Sequence, residues 1–557
     1  MDSARAMDAQ RALWTLVWFA VISVGLNSWS AWAKWPGFAI VAPLVTLVGL
    51  VGVSLVWVAP HRWDSRLEHA AVAVAISTVV VTYAPSMLAE RFFNTDAAAF
   101  NQRATWLLAH GRNPYSAVFH ASNLALNHAA SFWTYLLNGG HVDQVSYPAG
   151  AFVLQWPLQV LGVTRLGTNW LDLFAWLAAS LLLYFFSPAS TKWLAPLLLL
   201  TTVFTFSFAH GGTDALFVPF MIIAAYRWDD FVVARAPGWT RWVSPVALGV
   251  ACSIKQTPWF SLPFFVVGIA MESSLLERKP LRDAGRYLSW VALPFVLFNL
   301  PFFLWSPSDW LRGTSLPLRE PLIPDGQGLV TLVTHGVATT LHPERLQFAA
   351  ALVLLLLLWA YVRWYGALKS AWLFALPVVL FLPSRSLSSY LVDFVPAALV
   401  AALSTRRVDA HTPHRPWVPW TMIGATLVAL GLMVSSFSGS PIGLRLDNVS
   451  VTRVGLRFTT MRLTLMNHTN DAVRPHVLVQ VGSSHSVGFW TFVGHPNGVV
   501  LDAKSTATYE LRAPSAMYTP ARHESWLVEV TSESPSFVVT TGTLTWRRGP
   551  THPLSSP

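Results

Sequence analysis

Charge is scarce in this chain. Only 11% of its 557 residues are Asp, Glu, Lys or Arg and 54% are hydrophobic, whereas ordinary soluble domains carry roughly 25% charge. That balance excludes a water-soluble fold for most of the chain and points to lipid as its solvent. Cysteine is scarcer still. Cys252 stands alone in an apolar segment, so no intramolecular disulfide can form, and it reads as a small buried hydrophobe. The local signatures of soluble enzymes are missing too: no Walker-type glycine loop, no His-x-x-x-His zinc pair, no paired cysteines and no nucleophile elbow. There is no fixed-period repeat. A cleavable leader is not expected, because the first apolar run, Leu13 to Trp32, is long enough to stay as a spanning helix.

What is present is a series of apolar runs from Leu13 to Phe437, near residues 13–32, 38–58, 69–89, 147–163, 168–186, 193–209, 212–226, 243–271, 287–305, 348–365, 371–384, 388–404 and 417–438. Crossing a hydrocarbon core takes roughly 20 apolar residues per helix. The pattern therefore predicts an all-α polytopic membrane domain over residues 1–438 with about 12 to 13 spanning helices. The net charge of +10 does not point to nucleic acid, since the Lys and Arg residues sit mostly in short loops, where they mark the cytoplasmic side. The basic stretches are His61 to Arg66, Arg227 to Arg241, Arg278 to Arg286, and Arg406 to Arg415. Placing them inside puts the N-terminus in the cytoplasm, and two long polar loops, 90–146 and 306–347, outside with the C-terminal region of a cell-membrane protein.

Two details of that scheme are testable. The segment 243–271 is too long for one simple span between two basic loops, and Pro258 supports a break at Lys255-Gln256-Thr257-Pro258, although one long tilted helix is the alternative. Between Tyr147 and Arg227 four apolar segments lie where an odd number of crossings is required, so one must not span. The stretch 147–163, interrupted by Pro157, is the expected one.

From Ser440 the periodicity changes from helical to alternating, as in Arg462 to Leu465, His476 to Val481 and Ser525 to Val530, with Pro496-Asn497-Gly498 as a turn. About seven such strands predict an external all-β sandwich of immunoglobulin-like size over residues 439–549, followed by a disordered tail at 550–557.

Several polar residues could carry chemistry. Asp96 opens the first long loop at a membrane surface, where a partly desolvated carboxylate can act as a general base toward a hydroxyl. A helix N-cap is the competing role. Tyr147 ends that loop at an interfacial position. His210-Gly211-Gly212-Thr213-Asp214 is a polar break between apolar segments, either functional through Asp214 or a glycine-rich turn. Lys255 and Arg385 each lie beside a break in apolar surroundings, and such cations suit a phosphate, Arg as a fork and Lys as a point charge. Snorkelling to headgroups is the alternative for either. Gln256 adjoins Lys255, and Asp325 is a second carboxylate in the turn-rich stretch Glu320 to Gly328.

Taken in order, Asn94-Thr95-Asp96, Gly111-Arg112-Asn113-Pro114-Tyr115, Ser146-Tyr147-Pro148, His210 to Asp214, Lys255 to Pro258 and Pro383-Ser384-Arg385-Ser386 resemble the GT-C glycosyltransferase superfamily, in particular its bacterial polyprenyl-phosphate-sugar mannosyltransferase-like branch. The resemblance covers roughly residues 70–405 and departs from the pattern where about three apolar segments precede the carboxylate loop and Ala149 follows Pro148. It implies transfer of mannose, or a related hexose or pentose, from a polyprenyl phosphate to a glycan, glycolipid or protein acceptor at the external face. On that basis Asp96 is the expected base and Lys255 and Arg385 the expected donor-phosphate contacts, with Tyr147, His210, Asp214, Gln256 and Asp325 as further substrate contacts. The leaving group is good enough that neither a metal nor another cofactor is expected. A polytopic transporter or lipid-linked-sugar flippase is the alternative, and it would be expected to show internal repeats and broken helices.

Overall fold

The computed structural model describes residues 2–29, 37–89, 93, 95–119, 133–163, 167–201, 213–233, 238–406, 420–451, 458–481, 484–485, 488–514 and 525–545. Asn94, His210, Gly211, Gly212, Arg407 and the stretch 550–557 lie outside them.

In hydrocarbon the backbone must satisfy its own hydrogen bonds, so long apolar runs become helices. Seven among the described residues are long and apolar enough to cross a membrane: Met7–Ser28, Ala39–Val58, His61–Pro85, Gly167–Phe186, Thr257–Leu275, Pro280–Trp305 and Pro343–Arg363. This corrects the expected 12 to 13. Five further apolar helices, Ala189–Leu200, Ala215–Ala225, Arg241–Ile254, Ser388–Ser404 and Trp420–Ser435, are shorter. The reason for the difference is local. Apolarity marks burial of any kind, and prolines divide several of the predicted runs: 371–384 contains a short 3-10 turn, Trp372–Ala375, and the five-residue α-helix Leu376–Leu380, with Pro377 in its first turn.

The stretch 147–163 forms two small helices, Gly150–Val153 and Trp156–Val160. At about 1.5 Å per residue neither is long enough by itself to span. The long segment 243–271 is indeed broken. Its first helix ends at Ile254, a turn of 3-10 helix runs over Thr257–Ser261, and the second helix is Leu262–Leu275.

Outward-facing leucines and valines such as Leu44, Leu47, Leu50, Val51 and Leu55 on Phe38–Val58 are exposed, the pattern of a helix meant to face lipid. Inward, Trp176, Trp228, Trp372, Tyr287 and Phe217 are fully buried.

Among the described residues twelve strands occur in chain order: β1 Asp325–Gly326, β2 Thr340–Leu341, β3 Arg385–Ser386, β4 Ile442–Val451, β5 Phe458–Asn467, β6 His476–Val481, β7 Ser484–His485, β8 Thr491–Phe492, β9 Thr506–Arg512, β10 Ser525–Ser532, β11 Phe537–Thr540 and β12 Leu544–Thr545. The C-terminal strands form two sheets, one ordered β4-β5-β9-β8 and the other β2-β11-β10-β6-β7, with β12 also paired to β10. They enclose one core in which Met461, Leu463 and Leu511 from the first sheet meet Val477, Val528 and Val539 from the second. The sandwich expected from alternation is thus present, outside the helical bundle. Its second sheet also takes β2 from the long loop 306–347, Val538 pairing with Leu341.

Candidate active site

Asp96 is the first residue of the helix Asp96–Ala109, but it is not the cap. The Thr95 hydroxyl takes that place, accepting from the Ala98 N–H at 3.2 Å. The carboxylate of Asp96 is half-buried and accepts two backbone N–H groups: Oδ1 from Ala97 at 2.8 Å and Oδ2 from Thr134 at 2.8 Å. Both contacts are short and directional, so the group is oriented as well as placed.

Thr134 belongs to a small hairpin in which Val142 N–H donates to Thr134 O at 2.8 Å and Leu136 N–H to Gly140 O at 2.9 Å. The second long loop lies along its other edge, with Leu137 N–H donating to Pro321 O at 2.8 Å and Ile323 N–H to Tyr135 O at 3.0 Å. A few residues on, that loop forms β1, which pairs in parallel with β3 and sets Asp325 opposite Arg385. Gly326 has φ +114°, and a Cβ there would come 2.1 Å from Ser386 O. Only glycine allows so close a pairing. The Arg385 Nη2 reaches Asp325 Oδ2 at 3.6 Å, a loose contact and the one ion pair of this arginine among the described residues.

Asp325, Asp96, Tyr147 and Tyr390 all lie within electrostatic reach of the Arg385 guanidinium. The two tyrosine rings also cover Lys255, whose Nζ lies 4.7 Å from the centre of Tyr390 and 5.5 Å from that of Tyr147. Below this layer Lys255, only 3% exposed, is ion-paired to buried Asp214. Buried Asp172 and Asp393 lie within electrostatic reach of the same ammonium. Asp172 Oδ2 accepts from Thr213 N–H at 3.2 Å, while both oxygens of Asp393 lack a hydrogen-bond partner among the described residues. Thr213 is held at φ +57°, a conformation costly for a β-branched residue and one that concentrates at functional sites.

The arrangement brings Asp96, Tyr147, Asp214, Lys255, Asp325 and Arg385 into one connected group. His210 is outside the described residues. Gln256 is occupied otherwise: its Nε2 donates to Ser146 O at 2.9 Å and to Thr314 O at 2.8 Å, tying the break in the helix to two loops. Sequence reasoning missed Tyr390, Asp172, Asp393, Thr134 and the capping role of Thr95. For Asp172 and Asp393 a signal existed, since each is a lone carboxylate in an apolar run; for Tyr390 there was none. Among the described residues no cluster of His, Cys, Asp and Glu is arranged to hold a metal ion. No family model, curated protein or solved structure matches the chain.

Proposed function

We propose that this protein is an integral-membrane glycosyltransferase that moves a sugar from a polyprenyl-phosphate donor to a hydroxyl of a glycan, glycolipid or protein at the external face of the cell membrane. The observation that carries the reading is the grouping of an oriented, half-buried carboxylate, Asp96, with an arginine fork that is only loosely paired, at the end of the bundle where the β-domain sits. The GT-C resemblance of the ordered motifs supports the same assignment. In the proposed reaction the acceptor oxygen attacks the anomeric carbon in line, and the bond from that carbon to the phosphate oxygen breaks with its electron pair leaving on the phosphate. Asp96 takes the acceptor proton, and Arg385 turns from Asp325 to the departing phosphate. Lys255 adds positive charge from beneath the tyrosine layer while Asp214 holds it in place. The test is to incubate purified protein in nanodiscs with radiolabelled polyprenyl-phosphate sugars and a membrane extract. Label that moves to an acceptor supports the reading, and label that stays on the lipid under all donors overturns it.

A second reading rests on the three buried acids, Asp172, Asp214 and Asp393, around the single Lys255. Such an imbalance inside a bundle suits a proton- or cation-coupled carrier. Movement of donor lipid across a liposome bilayer without transfer of its sugar would favour it.

A further inference from the structure

The second sheet of the C-terminal sandwich is buried on both faces. Along β6, Val477, Val479 and Val481 point into the sandwich core, whereas Leu478, also fully buried, joins Leu137, Val142 and Val145 of the first long loop, as Val538 of β11 does. Strands buried on both sides are integral to the packing and are not a module on a linker. The contacts converge on the hairpin that holds Asp96. The Thr531 hydroxyl donates to Leu137 O at 3.2 Å. Phe489 packs edge-on to Tyr135, ring centres 5.4 Å apart, and lies 5.8 Å from His476. Gly139, at φ +86°, presses on the His476 imidazole, so that a Cβ would lie 2.3 Å from Nδ1. The chain of contacts is short: sandwich to Tyr135 and Leu137, one and three residues along the hairpin to Thr134, and from the Thr134 amide to Asp96 Oδ2.

We propose that the C-terminal β-domain is a positioning element of the active site, setting the orientation of the Asp96 carboxylate through the Thr134 to Gly140 hairpin, with Phe489 and Thr531 as the residues that transmit it. The hairpin by itself is short, and an isolated two-stranded hairpin is marginal in stability; the loop on one side and the sandwich on the other give it a single register. Loosening the sandwich contacts lets the Thr134 amide swing, and the carboxylate then loses one of its two directional hydrogen bonds. The catalytic half of this inference rests on Asp96 acting as the base; the structural half does not.

The experiment uses the full-length protein in nanodiscs and the variants Phe489→Ala, Thr531→Val and Phe489→Tyr. Hydrogen exchange at the Thr134 amide is expected to quicken at least about tenfold in Phe489→Ala, less in Thr531→Val, and to stay near the parent in Phe489→Tyr, which keeps the ring. Transfer should follow, with kcat falling about tenfold in Phe489→Ala while KM for the donor is unchanged. In an Asp96→Asn background Phe489→Ala should cost nothing further, because its effect runs through that carboxylate. If Phe489→Ala fails to fold, Thr531→Val removes only the hydroxyl and carries the same test. Unchanged exchange at Thr134 in the folded variants overturns the inference. Quickened exchange together with normal transfer by Asp96→Asn upholds the mechanical coupling and removes Asp96 as the base instead.

Discussion

The two ends of the helix Gly238–Ile254 both carry clusters of buried charge, and the clusters differ in how they are closed. At its start, away from the sandwich, Lys369 Nζ bridges Asp229 Oδ2 at 2.9 Å and Glu272 Oε1 at 2.8 Å. Tyr365 donates to the same Glu272 oxygen at 2.7 Å. Arg406 reaches Asp230 Oδ1 at 2.5 Å, its backbone N–H reaches Asp229 at 3.1 Å, and Arg227 pairs with Asp230 at 2.9 Å. Every acid there has a cationic partner, and the partners come from separate stretches of chain. At the other end, among the described residues, Arg385 meets Asp325 at 3.6 Å, Asp96 is held by backbone amides, and Asp393 has no hydrogen-bond partner. A network whose carboxylates are all charge-paired is a clamp with little charge left to offer a ligand, even though Asp229 Oδ1 and Asp230 Oδ2 make no hydrogen bond among the described residues. One whose charges are incompletely paired holds groups whose remaining capacity a substrate can use.

The sharpest way to test that contrast is Asp96→Asn. Asparagine keeps one acceptor oxygen for the two amides, so the fold should survive the loss of one hydrogen bond to a charged group, worth about 1.5–3 kcal/mol. Turnover should fall roughly a hundred- to ten-thousandfold, since the basic carboxylate is gone. Transfer rates measured beside melting curves decide it, and near-normal transfer would make the open end structural like the closed one.

Lys369→Met tests the opposite end. Removing the bridging cation leaves Asp229 and Glu272 buried without it, which should cost about 3–5 kcal/mol of stability and leave turnover per folded molecule unchanged. A variant with parental melting but impaired transfer would reverse the roles assigned to the two clusters.

Arg385→Ala should weaken donor use roughly ten- to a hundredfold, the effect of losing a charge-assisted contact of about 1.5–3 kcal/mol. Arg385→Lys should recover only part of it, because an ammonium lacks the fork. Donor titrations of KM and kcat separate these outcomes, and equal recovery by Lys would show that point charge alone is used.

The sandwich contact that supports the open end carries a pH effect on stability rather than on turnover. Burial, and then the nearby Arg474 charge, push the His476 imidazole down to about 4. The unfolded chain therefore binds this proton first as pH falls from the ordinary histidine value of about 6.5, so stability drops between about 6.5 and 4 and is flat above. His476→Gln should lose that part of the acid slope in melting temperatures measured from pH 7 to 4. An unchanged slope would place the acid sensitivity elsewhere.

Much of the molecule was readable from local chemistry. The lipid-facing helices, the break at Lys255 and Pro258, the interruption at Pro157 and the strands from Arg462 to Val530 all follow from periodicity, proline and turn residues, which act within a few residues of themselves. The number of crossings was not readable, because an apolar run looks the same whether it faces lipid or is buried in a bundle as a short helix such as Val218–Ala225. Nor could the sequence reveal that Thr95 rather than Asp96 caps its helix, that Lys255 is committed to Asp214, or that β2 crosses from a loop into the sandwich. Those facts depend on pairs far apart in the chain, Asp96 with Thr134, Asp214 with Lys255, Asp325 with Arg385 and Leu341 with Val538. Side-chain type sets which partners a residue can accept; which one it meets is decided only when packing brings distant segments together.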